Sequence, residues 1–215
     1  MKKAISAITL GLLISANAIA SDDVRQYEVS ITNATTHHVF TPTLLATHKS
    51  SVSLFSVGHA ASAGLVQQAE TGDPSLLLAE TQAKYGVTDT LVGGFIPHGN
   101  TTTYTITAKK RSRLSLTAML ATTNDAFVAL NGVALPKKSA TYYARVYDAG
   151  SEANNEDCAY IPGPPCAPTS GNARTDSSEG HISIHNGIHG TGSLSAAALD
   201  WRGPAAIVTI KKLDD

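Results

Sequence analysis

Short runs of alternating apolar and polar residues recur along the chain, and they predict strands rather than helices. Tyr27, Val29 and Ile31 share one face of a first strand over 27–33. A second strand runs through 43–48, just after Pro42, which restricts its own neighbourhood to a strand start or an edge. Tyr104, Ile106 and Ala108 alternate within a strand over 101–108, and 113–120 is the next. Apolar runs follow at 126–130 and 142–147. Another strand opens the stretch 181–190, and 205–211 supplies the last. Many short strands joined by polar turns predict a mainly β fold, an antiparallel β-sandwich.

Residues 60–85 interrupt this pattern and predict one or two short inserted helices. The first runs from about residue 60 to Gly72. The second covers 75–84, with Asp73 as N-cap, Pro74 in its first turn and Gly86 as its stop. Leu65, Ala69, Leu76, Leu77 and Ala83 are expected in the core. Helices this short cannot carry a core of their own, so they should pack on the sheet. The Pro-, Gly- and Ser-rich stretch 162–180 reads as a long loop.

Residues 1–20 stand apart. A Met1-Lys2-Lys3 start, an apolar stretch from Ala4 to Ile14 and the small-residue site Ala18-Ile19-Ala20 describe a secretory signal peptide cleaved after Ala20. The apolar stretch is shorter than the roughly 20 residues a membrane span needs. Residues 21–215 are then expected to form a single exported domain, secreted or periplasmic. The net charge is −1 and only 15% of residues are charged, which removes the broad basic surface that nucleic acid requires. The cluster Lys109-Lys110-Arg111 with Arg113 reads as a solubilised strand end. Two cysteines in an exported chain, Cys158 and Cys166, predict a disulfide. Closing so small a loop contributes roughly 2–3 kcal/mol.

Candidate chemistry centres on acids. Asp125 precedes the run 126–130 and Asp148 follows the run 142–147. If these runs pair antiparallel, the two carboxylates sit side by side at one end, about 4.8 Å apart by strand spacing. Glu152 lies one turn further on. One reading makes these residues ordinary turn formers that bond their own backbone. The other makes them ligands of one cation. Hard oxygens without Cys or His favour calcium, bound at about 2.3–2.6 Å, over zinc. Asn124, Asn154, Asn155, Glu156 and Asp157 add nearby oxygens. His181, His185 and His189 are spaced by four, but Ile182, Ile184 and Gly187 argue against a helix that would align them. On a strand His181 and His185 would lie roughly 13 Å apart, too far for one zinc ion unless the chain bends at Gly187. No hydrolase elbow, zinc-protease, phosphate-loop or dinucleotide motif is present, so an enzyme is not expected. Asn33-Ala-Thr35 and Asn100-Thr-Thr102 match the N-glycosylation sequon.

Several segments, in order, resemble the spondin domain family, the N-terminal module of F-spondin and mindin with free-standing bacterial relatives. They are Phe40-Thr-Pro-Thr-Leu, Thr47-His48, Leu54-Phe55, Ala60-Ala-Ser-Ala-Gly-Leu and Ala69-Glu-Thr-Gly-Asp73. Further along come Leu116-Thr-Ala-Met-Leu, Thr123-Asn-Asp-Ala-Phe-Val-Ala-Leu-Asn131, Tyr147-Asp-Ala-Gly-Ser-Glu152 and Asp200-Trp-Arg-Gly-Pro-Ala. The resemblance implies an antiparallel β-sandwich holding one calcium ion at one end, with Asp125, Asp148 and Glu152 as ligands. Animal members commonly carry Trp at the position of Ala126 and Asp at that of Glu152, so the third carboxylate is longer here. The function implied is an exported calcium-binding module for adhesion or for an extracellular protein or glycan. A metal-dependent hydrolase and a purely structural periplasmic or surface protein are the alternatives.

Overall fold

The computed structural model describes residues 24–166 and 173–214. The expected signal peptide and its cleavage point lie outside the described residues. The elements are β1 (Val24–Asn33), β2 (Leu44–His48), α1 (Ala63–Thr71), α2 (Ser75–Gln82), β3 (Val87–Val92), β4 (Thr101–Lys109) and β5 (Arg113–Met119). They continue with β6 (Ala126–Ala134), β7 (Ser139–Asp148), β8 (Ser183–Ile184), α3 (Ala196–Leu199) and β9 (Ala206–Lys212). The fold is mainly β and antiparallel. Its strands follow one path, β3-β2-β5-β6-β7-β9-β1-β4, with β8 paired to the end of β7.

β7 makes the turn in this path. Residues 139–144 pair with β9, and 145–148 pair with β6. The sheet therefore bends back on itself, and its two edge strands come to face each other. Side chains stitch these edges. Asp89 Oδ2 of β3 accepts from Thr107 N of β4 at 2.9 Å, and Thr47 Oγ1 donates to Thr107 O. The Tyr104 hydroxyl accepts from Gly94 N. Covering the edges this way blunts them as templates for aggregation. The result is a nearly closed, barrel-like sheet.

Val29, Ile31, Leu45, Leu116, Val128 and Val208 fill the interior. A second core lies outside β2, β5 and β6, where Leu44, Ala46 and Phe127 meet Leu65 and Leu77 of the helices. β2 is covered on both faces, which is why it reads as an unbroken apolar run rather than an alternation. Phe55, Phe127 and Tyr147 extend this outer core, with Phe55 edge-on to Phe127 at 5.1 Å. Fully burying a side chain of this size contributes roughly 1.5–3 kcal/mol.

The helices follow the expected signals in part. Gly72 ends α1 in the left-handed conformation, but Pro74 rather than Asp73 is the N-cap of α2, with Asp73 Oδ1 accepting from Ser75 N, and α2 stops at Ala83, short of Gly86. Leu76 and Ala83 are exposed, because α2 turns only Leu77 and Thr81 inward. β3 and α3 carry no clear periodic signal in the sequence, and both were missing from the expected elements. Asn33 is fully buried, and its amide nitrogen donates to His38 O and Ile96 O. Its sequon therefore offers no accessible amide.

α1 and α2 approach closely at Gly64. A Cβ there would stand 2.5 Å from Leu77 N and 2.6 Å from Leu77 Cα. Glu80 of α2 completes the contact by accepting from Gly64 N at 2.7 Å. Helix propensity alone would favour alanine by about 1 kcal/mol. Because the obstructing atoms are backbone, Gly64→Ala is instead expected to destabilise by about 1–3 kcal/mol. Thermal melting checks this; a melting temperature equal to or above wild type would contradict the close approach.

Candidate metal centre

The β6–β7 register sets Ala126 opposite Asp148. Asp125, one residue before the ladder, therefore stands beside Asp148 at the same rim, as the antiparallel pairing of the two runs requires. The chain then turns through Ala149 and Gly150 and returns to Asp125. Gly150 has φ +67°, and a Cβ there would lie 2.2 Å from His181 O, so only glycine fits this turn.

Asp125 organises the loop that carries Glu152. Its carbonyl accepts from Ala149 N at 3.2 Å. Its Oδ2 accepts from Ser151 N at 2.7 Å, Ser151 Oγ at 3.1 Å and Glu152 N at 3.0 Å. Its Oδ1 is buried with no hydrogen-bond partner, and so is Glu152 Oε2. Asp148 Oδ1 accepts from Gly150 N at 2.6 Å, and Oδ2 accepts from the Asn154 amide. Asp125 is fully buried, Asp148 and Glu152 nearly so.

Burial of like charges dominates the electrostatics. Desolvation, with Asp148 adding to it, pushes Asp125 up to about 7 despite the hydrogen bonds it accepts. Desolvation, then the charges of Glu70 and Asp125, push Glu152 up to about 7. Asp148 is raised by desolvation and by Glu179. Arg174 eases the charge on Glu152, but its Nη2 lies 2.7 Å from Glu70 Oε1. Glu70 and Glu179 were not among the expected site residues. Glu70 falls within the quoted segment Ala69-Glu-Thr-Gly-Asp73, where nothing in the spacing marks it as a neighbour of Glu152.

Among the described residues, no group of three or more His, Cys, Asp or Glu side chains is arranged to hold a metal ion as it stands. The donor set nonetheless has spare capacity. Two of its oxygens have no partner, and each Asp148 oxygen accepts one hydrogen bond while a carboxylate oxygen has two lone-pair sites. A cavity of about 250 Å³ is lined in part by Asn124, Asp148 and Asn154.

The other expected residues take structural parts. Burial opposes ionisation of Glu156, but backbone N–H groups of His189, Thr191, Gly190 and Gly192 hold its carboxyl below the usual range. It thereby anchors the loop after β8. His181 and His189 are exposed. Gly187 N donates to His185 Nδ1 at 3.1 Å, which leaves Nε2 as the donor to Asn154 Oδ1 at 3.1 Å. With both ring nitrogens engaged, His185 has no lone pair to offer a metal, and it reaches Asp148 only through Asn154. Cys158 and Cys166 form the expected disulfide. It closes over a small core of Ile161, Ile188, Leu194 and Leu199.

The family model Spondin_N matches residues 24–155, which carry β1 to β7. No curated protein matches the chain. Among the described residues, no helix is long and apolar enough to cross a membrane.

The raised carboxyls give a pH signature in chelated protein. A native carboxyl titrating near 7 keeps a proton that the unfolded chain has already released, so its contribution is complete below the unfolded pKa and is lost as pH rises through about 7. His38, His48 and His185 are lowered by burial, and they add stability over part of the same range. The informative comparison is therefore with Asp125→Asn, which keeps all three histidines. Between about pH 5 and pH 8, wild type should lose stability relative to the variant. Each pKa unit is worth about 1.4 kcal/mol, or roughly 3–6 °C in a protein of this size. Parallel melting profiles would contradict the raised Asp125.

Proposed function

Because the chain belongs to the spondin N-terminal domain family, we propose that it is an exported calcium-binding β-sandwich module in which Asp125, Asp148 and Glu152 hold one ion. The family is one of extracellular, non-enzymatic modules, and the Cys158–Cys166 disulfide suits an oxidising compartment. The observation that carries the cation is the pair of buried, unmatched oxygens, Asp125 Oδ1 and Glu152 Oε2, in a site where acids outnumber bases. A buried polar atom without a partner costs about 1–3 kcal/mol, and more when charged. A divalent cation would satisfy both oxygens and offset the repulsion that raises these carboxyls. An all-oxygen donor set favours calcium.

The role we assign is adhesion, or binding of an extracellular protein or glycan, with the ion bracing the loop 148–156. A catalytic metal would need a base beside an open coordination position. His185, the half-buried histidine on this side, is committed to Gly187 and Asn154. A module in which the ion only clamps loops remains distinct from a binding module. Calcium-dependent binding of purified protein to glycan arrays or cells separates the two.

Calcium should raise the melting temperature of wild type by the linkage relation, about 4 kcal/mol at a thousandfold excess over Kd. Asp148→Asn should lose most of this shift. Equal calcium responses from the two proteins would show that the site is wrongly assigned.

A further inference from the structure

β9 pairs with β7 as far as Ala144, and β8 pairs with it from Tyr147. Arg145 and Val146 fall in the interval between these two partners. There Ala205 N donates to Ala144 O at 2.9 Å and His185 N to Val146 O at 3.2 Å, while the segments leading to the two strands diverge. A cavity of about 360 Å³ occupies this split, lined by Arg145, Ile184, His185, Asp200, Trp201 and Arg202. Small-molecule pockets begin at roughly 300 Å³, so the cavity suits one or two rings rather than a folded partner.

Its walls combine an aromatic platform with positive charge. Trp201 is fixed by histidines, with His185 5.1 Å and His38 5.4 Å between ring centroids. His38 is itself buried, its ring nitrogens 2.7 Å from Ala121 O and Leu199 O. Asp200 is the one acid lining the cavity, and it is already engaged by Arg202 Nε at 3.1 Å. Arg145 is exposed, and among the described residues its guanidinium makes no hydrogen bond or ion pair. Two guanidinium groups against one satisfied carboxylate leave the cavity positive. An unpaired planar guanidinium matches a carboxylate through two parallel hydrogen bonds. The face of an indole complements the apolar C–H face of a sugar ring.

We propose that this cavity binds a uronic-acid residue of an acidic polysaccharide, with its carboxylate on Arg145 and its ring against Trp201. The inference rests on the reading of the chain as an extracellular binding module, and it does not depend on the cation. It names the ligand class that the carboxylate site leaves open.

Trp201 is the only tryptophan in the chain, so tryptophan emission, excited selectively over the tyrosines, comes from this one residue in the cavity wall. Wild type and Arg145→Gln are titrated at one fixed calcium concentration with trigalacturonate, with its methyl ester as the uncharged analogue, and with acetate as a carboxylate without a ring. Trigalacturonate should change the emission of wild type saturably, and Arg145→Gln should bind about tenfold more weakly or worse. The ester and acetate should give no saturable change over the same range. Equal titrations of the two proteins, an equal response to the ester or to acetate, or no saturable response to trigalacturonate would each overturn the proposal. Arg145 lies on the exposed face of β7 outside the carboxylate site, so a failure of the cation would appear separately, as a missing calcium shift in both proteins' melts.

Discussion

Carboxylates buried side by side repel one another unless protons or a cation neutralise them, and this constraint governs the rim of the sheet where β6 begins and β7 ends. The register that sets Ala126 opposite Asp148 cannot be relaxed cheaply. Slipping it by one residue would turn Phe127 and Val128 to the wrong faces, and both faces of β6 are buried here. Core packing thus forces Asp125 and Asp148 together. The loop from Ala149 to Glu152, whose main-chain N–H groups at Ser151 and Glu152 donate to the Asp125 carboxylate, brings the third carboxylate in. The hydrophobic order of two strands and the electrostatics of the site have one cause.

The bend of β7 has a second consequence at its other edge. Because one strand serves β6, β9 and β8 in turn, its neighbours cannot all stay in contact, and the split beside Arg145 results. His185 stands between the two features. Its ring packs against Trp201 in the split, and its Nε2 reaches Asp148 through Asn154. The carboxylate rim and the cationic cavity are thereby joined by a short polar chain across one strand end.

Much of this was legible in the sequence because two faces of a strand differ. The alternation of Tyr27, Val29 and Ile31, and the acids flanking 126–130 and 142–147, carried the strands, their antiparallel sense and the meeting of Asp125 with Asp148. β3 was not legible. Its residues Val87, Thr88, Asp89, Thr90 and Leu91 are all half-buried, so no face stands out, and Asp89 works as an edge stitch rather than a turn former. Leu76 was misread because the run Leu76-Leu77-Leu78 does not say which leucine faces the sheet. Glu70 was illegible as a neighbour of Glu152 because helix packing brings them together, far apart in the chain. The barrel-like closure followed from the bend in β7, which no local pattern announces.

The most direct measurement is a proton count on calcium binding, by titration calorimetry in buffers of different ionisation enthalpy near neutral pH. A cation held by Asp125 and Glu152, which titrate near 7, must displace their protons. Calcium should therefore bind with net proton release near pH 7, and the release should fade about two units higher, where the acids are already ionised. Binding that releases no protons at neutral pH, or no binding at all, would contradict a cation held between Asp125, Asp148 and Glu152.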